Sequence, residues 1–95
     1  MKLVWQPQAF EDLKSIQHYI VADDPIAAKR IVVATVSMVH DQLTAFPQSG
    51  RPGRIEGTRE LVVPKTPFIV PYRVTGDTIE ILGVHHASQR WPEAF

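Results

Sequence analysis

The sequence has no cysteine. Its absence removes disulfides, thiolate metal sites and thiol nucleophiles together. Long apolar runs are missing too: charges interrupt every hydrophobic stretch short of the roughly 18 residues that a membrane-spanning helix needs. The N-terminus lacks the basic, then apolar, then small-residue order of a secretory leader, so a cytoplasmic protein is expected. Net charge is absent as well, ten Lys and Arg balancing ten Asp and Glu. A protein that lives on nucleic-acid phosphates carries a basic excess, so any such role here rests on local charge. Repeats, linkers and low-complexity segments are not seen. What is present is 95 residues, 44% of them apolar, enough for one small domain, 1–95, around one modest core.

The order of elements reads from periodicity. Leu3, Val4 and Trp5 form a short β-prone run. Pro7 suits a first helical position, and Ala9, Leu13, Ile16 and Ile20 trace one helix face. Glu11 and Asp12 are expected in the first turn, where they favour the helix dipole. Asp24-Pro25 reads as a cap and restart. A second helix is then expected from Ile26 to about Phe46. One face of it carries Ala28, Ile31, Thr35, Met38, Gln42 and Phe46; a second carries Val32, Val36, Val39 and Leu43. So wide an apolar arc needs cover on two sides, from the first helix and from a sheet. Pro47 and the run Ser49 to Arg54 break the helix into an irregular loop. Three strands follow, at Arg59 to Val63, Pro67 to Val74 and Thr78 to His86. The order β-α-α-β-β-β predicts an α+β domain, an antiparallel helical hairpin packed on one face of an antiparallel sheet.

Gly76-Asp77 predicts a two-residue hairpin turn with glycine first. Tyr72 then faces Ile81, Arg73 faces Glu80 and Val74 faces Ile79. Phe68, Val70, Tyr72, Val74, Ile79 and Ile81 share the face offered to the helices. The other face carries Ile69, Pro71, Leu82 and Val84 beside Arg73 and Glu80. That strip is too apolar for bare solvent and is expected to receive a second subunit or a partner peptide.

Taken in order, WQPQAFEDL at 5–13, Leu43 with Phe46-Pro47, Gly50-Arg51-Pro52, Gly57 to Leu61, Tyr72-Arg73-Val74 and Ile79 to Leu82 running into His86 resemble the RelE/ParE superfamily of bacterial toxins. The resemblance spans nearly the whole chain. It implies the fold already read from periodicity, a toxin that arrests growth unless its cognate antitoxin binds it, a toxin–antitoxin hetero-oligomer, and no cofactor or metal. Two targets are implied by the two branches. ParE-like members poison DNA gyrase; RelE-like members cut messenger RNA on the ribosome.

The residues tilt the choice towards gyrase. A metal-free ribonuclease needs an acid–base group and a cation for the phosphate. His86 is the candidate acid–base group, imidazole titrating near neutrality; its alternative is a strand-end bond to the tail. Arg51, Arg54, Arg59 and Arg73 are the candidate phosphate or target contacts, in a stretch from Gly50 to Arg73 with five cations against two anions. That stretch is either a binding patch or an ordinary solvated rim, and Arg73 has Glu80 as a cross-strand partner. Arg73 and His86 are expected on one face but roughly 20 Å apart at about 3.3 Å per residue, too far to grip one phosphate. The tail offers Trp91 and Phe95, and no Tyr. Ile69, Pro71, Leu82, Val84 and Trp91 are the expected antitoxin contacts. His85 and His86, adjacent in a strand, point to opposite faces and cannot chelate one metal. A non-toxic binding module is the third reading.

Overall fold

The computed structural model describes residues 1–21 and 24–87, without the side chains of residues 17–21. The elements are β1 (Lys2–Trp5), α1 (Pro7–Val21), α2 (Pro25–Ala45), β2 (Arg51–Pro52), β3 (Arg59–Val62), β4 (Phe68–Thr75), β5 (Thr78–Ile81) and β6 (His85–His86). The strands form one sheet in the order β1-β5-β4-β3-β2, with β6 also paired to β4. The expected α+β architecture is present, with one refinement. β1 runs parallel to β5, Leu3 opposite Ile79 and Trp5 opposite Ile81, so the sheet is mixed. No helix among the described residues is long and apolar enough to cross a membrane.

Local chemistry accounts for the element boundaries. The Asp24 carboxylate accepts from the N–H groups of Ile26 and Ala27, both at 3.1 Å, satisfying two donors that the first turn of α2 leaves over. Pro25 occupies the adjoining first position. In α1 the first turn holds no acidic residue. Glu11 and Asp12 lie in the second turn, a correction to the dipole role expected for them. Gly76 takes φ +62 while Asp77 keeps a negative φ, as a turn of type II′ requires. The hairpin it closes has the expected register: Tyr72 opposite Ile81, Arg73 opposite Glu80, Val74 opposite Ile79.

The core lies between the helices and the even-numbered face of β4. Leu43 and Val39 of α2 meet Val70 and Tyr72 of β4 and Ile79 and Ile81 of β5, all fully buried. Full burial stabilises each such aliphatic side chain by about 1.5–3 kcal/mol. The buried residues of α2 are Ala28, Thr35, Val39 and Leu43, a single stripe, with Ile31, Val32, Val36 and Met38 on its flanks. Phe46, expected in the apolar face, caps the helix and stands exposed.

The third predicted strand is interrupted. From Tyr72 back to Ile69 the chain takes three steps, whereas from Ile81 to His85, the residue opposite Ile69, it takes four. One extra residue is therefore inserted at 82–84, as in a β-bulge. A distant side chain takes up the backbone donor freed there: the Val84 N–H donates to Asp12 Oδ2 of α1 at 2.9 Å. Leu82 still donates to the Pro71 carbonyl at 2.9 Å. Beyond the insertion every side chain changes face. Val84 turns into the core, His85 faces Ile69, and His86 faces Phe68.

Candidate functional site

The candidate arginines lie on the loop after α2 and on the neighbouring strands, and the chain itself engages each of them. Arg51 donates through Nε and Nη2 to Glu60 Oε1, at 3.2 and 3.1 Å. The Arg54 N–H donates to Glu60 Oε2 at 2.9 Å, and its guanidinium lies 3.8 Å from the same oxygen. The Glu60 side chain is only 2% exposed, so these donors replace its hydration shell. Arg73 pairs with Glu80 across the hairpin, the ordinary partner expected for it. Arg59 is held differently. Its Nη1 donates to the carbonyls of Gln48 and Gly50, at 3.2 and 2.8 Å, and no carboxylate pairs with it among the described residues.

His86 sits at the far end of β4. It is exposed, and its ring stands edge-on to Phe68 with centroids 6.3 Å apart. The insertion at 82–84 puts it on the opposite face from Arg73, not the same face as expected. Five positions of β4 separate Arg73 from Phe68, the partner of His86, about 17 Å at roughly 3.3 Å per residue. The two groups therefore cannot act on one phosphate. His85 lies on the face away from the helices, opposite Ile69. It is buried, and burial pushes its imidazole below the ordinary range; the Arg54 charge adds to this, while the carboxylates of Asp12 and Glu60 oppose it.

The strip expected to await a partner is covered already. Ile69, Pro71, Leu82 and Val84 are all buried within the chain. Val84 belongs to the core because the insertion reverses its direction; the other three lie on the face where Glu60 also sits. Buried side chains present no surface to an incoming segment. Trp91, the fifth expected antitoxin contact, lies outside the described residues.

The exposed apolar surface lies elsewhere, on α2. Ile26 is 73% exposed and Val33 59%. With Ala34, Lys29 and Arg30 they line an open groove of about 610 Å³. Neither Lys29 nor Arg30 makes an ion pair among the described residues. Ile26, Arg30 and Val33, at steps of four and three, trace the outward side of the helix. That spacing was the available signal, but Ile26 and Val33 read as part of a generally apolar helix. Glu60 and Tyr72 were also missed as organisers. An acidic residue on the same strand face as Ile69 and Pro71 was the clue for Glu60.

Comparison with known proteins agrees with this geometry. The sequence matches the family profile "ParE toxin of type II toxin-antitoxin system, parDE" over residues 3–91. It is 49% identical over 92 residues to the Sinorhizobium fredii protein named "Putative toxin Y4kP", covering 97% of this chain and 94% of that one. Among solved structures, a chain of the chromosomal ParDE TA system from P. aeruginosa superposes with TM-score 0.80 and 36% identity, over 90% of this chain and 95% of that one. A chain of the toxin–antitoxin complex RelBE2 from Mycobacterium tuberculosis superposes with TM-score 0.68 and 26% identity, over the same shares. The fold is thus that of a toxin of the ParE/RelE superfamily. The chain belongs to the ParE toxin family of type II toxin–antitoxin systems.

Proposed function

We propose that this toxin poisons DNA gyrase in the cytoplasm and is held inactive by an antitoxin seated on α2. The observation that carries the gyrase reading is the engagement of the candidate phosphate contacts. Arg51 and Arg54 serve Glu60 and Arg73 serves Glu80, which leaves Arg59, oriented by two carbonyls, as a single cation too few to hold a nucleic-acid backbone. His86 lies on the other face from Arg73. Such an arrangement suits a protein that acts through contact surfaces rather than by moving a proton on a scissile phosphate. The match to ParE over residues 3–91 supports the same reading.

For the antitoxin, the α2 groove offers apolar side chains at helical spacing beside Lys29 and Arg30. This is the chemistry of an amphipathic segment carrying acidic groups. A second copy of this chain would set the same two cations against each other, so the groove favours an acidic partner over self-association.

Purified toxin supplied with gyrase and supercoiled plasmid, and in parallel with messenger on programmed ribosomes, tests the target. Trapped cleaved plasmid with intact messenger is the expected result. Messenger cut at the ribosome, with gyrase unaffected, would replace this reading with ribosome-dependent RNA cleavage.

A further inference from the structure

We infer that Arg59 and the hollow it lines form a carboxylate-binding site, built to receive one acidic group of a partner polypeptide. The inference goes beyond the choice of target, because it concerns what this hollow recognises and not what the toxin disables.

The first observation is an imbalance among the arginines. Arg51 and Arg54 share the single carboxylate of Glu60, and Arg73 pairs with Glu80. Among the described residues Arg59 has the carbonyl oxygens of Gln48 and Gly50 and no carboxylate. Two carbonyl dipoles orient a guanidinium without cancelling its charge. A guanidinium carries five N–H donors. Here both bonds leave from Nη1, so the edge formed by Nε and Nη2 has no acceptor among the described residues. That edge is one of the two with which arginine grips a carboxylate through paired bonds.

The second observation is a receptacle of fitting size. Arg59, Gln48, Pro52, Gly57, Thr58 and Val74 line a pocket of about 330 Å³. This is the low end of the range for small-ligand sites, roughly 300–1,000 Å³, and suits a single side chain.

The third observation is preorganisation. Gly50, whose carbonyl anchors Arg59 at 2.8 Å, is itself anchored by its N–H to the fully buried Tyr72 hydroxyl at 2.8 Å. The guanidinium is therefore positioned before any ligand arrives, which lowers the entropic cost of binding.

Carboxylate is favoured over phosphate by the surroundings. Pro52 and Val74 make part of the wall apolar, and Arg59 is the pocket's single cation. Nucleic-acid backbones are held by several cations acting together, and this pocket offers one.

The test uses the full chain labelled with nitrogen-15 and followed by NMR. It is titrated with sodium acetate and with dimethyl phosphate, a phosphodiester of the same charge, against sodium chloride at matched ionic strength. Acetate should shift the Arg59 Nε–H and the amides of Gly57 and Thr58 saturably, and bind more tightly than dimethyl phosphate. Arg59→Gln should abolish the response. Because that variant also loses the two carbonyl bonds, Gln48→Glu provides the second arm. It keeps the backbone carbonyl that anchors Arg59 and places a carboxylate at the pocket, so acetate affinity should fall about tenfold through direct competition. Three results would overturn the inference: no saturable acetate shift, tighter binding of dimethyl phosphate, or unchanged acetate affinity in folded Gln48→Glu protein. None of them bears on whether gyrase is the target, which the plasmid assay reads separately.

Discussion

The hydroxyl of Tyr72 accepts from the Gly50 N–H and donates to the Pro47 carbonyl, each at 2.8 Å. One buried phenol on the central strand β4 thereby fixes the loop that leaves α2. The contact is close enough that a Cβ on Gly50 would lie 2.6 Å from the tyrosine ring. Burial raises the Tyr72 pKa; the Gly50 bond and the Arg59 charge oppose this without reversing it. The group therefore stays a neutral donor at ordinary pH, as its bond to Pro47 requires.

Tyr72→Phe should keep the ring and lose both bonds, leaving a buried N–H and a partly buried carbonyl without this partner. An unpaired buried polar group costs about 1–3 kcal/mol, and a loss in that range is expected in urea unfolding. Gly50→Ala should cost more, since the ring belongs to a fully packed core and cannot retreat. Equal stability of Tyr72→Phe and the parent chain would show that water replaces the phenol at no cost.

Glu60 and Arg51 should respond unequally to mutation. Glu60→Gln removes the buried charge, and both arginines, each about half exposed at the side chain, can turn to water. The loss is then that of charge-assisted bonds, about 1.5–3 kcal/mol. Arg51→Ala instead leaves a buried carboxylate with two fewer donors, a situation costlier than removing the buried charge itself. The larger drop in unfolding free energy is expected for Arg51→Ala, and the reverse order would mean that Glu60 is solvated in solution.

Stability should fall on mild acidification because of His85. Its folded pKa is depressed, chiefly by burial, so the unfolded chain binds the proton more readily. The stabilising contribution is full above the unfolded value, about 6.5, and is lost as pH falls from there through the folded value. Urea midpoints between pH 7.5 and 5 should therefore decline, and His85→Gln should flatten that decline. A slope unaltered in the variant would assign it to other groups.

The fold was legible wherever its determinants are local. Asp24-Pro25 caps and starts α2, Gly76-Asp77 sets the hairpin register, and the change from helical to twofold periodicity separates helices from strands. It was not legible where distant residues decide. The backbone donor freed by the extra residue at 82–84 is taken up by Asp12, 72 positions away, and nothing near Val84 announces it. That single insertion moved His86 off the face of Arg73 and turned Val84 inward. The family was legible from an ordered set of short motifs, none decisive alone. At the site, only the Arg73–Glu80 pair could be read, because cross-strand neighbours follow from register. The capture of Arg51 and Arg54 by Glu60 depends on how the loop folds back over the sheet.

The α2 groove makes a separate prediction for the antitoxin. Ile26 and Val33 are exposed in the unbound chain, so replacing both by Asp should leave folding intact. In the complex the new carboxylates would be desolvated against apolar partners. Affinity should fall by about 2–4 kcal/mol, the scale of interface hot spots, and co-expressed antitoxin should no longer relieve growth arrest. Unchanged affinity in the folded double variant would place the antitoxin elsewhere on the surface.

His86→Gln separates the two mechanisms inside the cell. Loss of a general acid or base typically slows a reaction about 10²- to 10⁴-fold; for a nuclease that depends on His86, this would abolish growth arrest. A gyrase poison transfers no proton through this residue. His86 is exposed at the end of the sheet, where its ring stands edge-on to Phe68. Glutamine at that position should alter little of the fold. Growth arrest should therefore persist in His86→Gln when it is induced alone, and antitoxin should still relieve it. The measurement is the growth rate after induction, with the level of folded protein checked by immunoblot and circular dichroism. Unimpeded growth at parental expression, in a variant that still binds antitoxin, would make His86 essential to the chemistry and return the toxin to the RNA-cleaving branch.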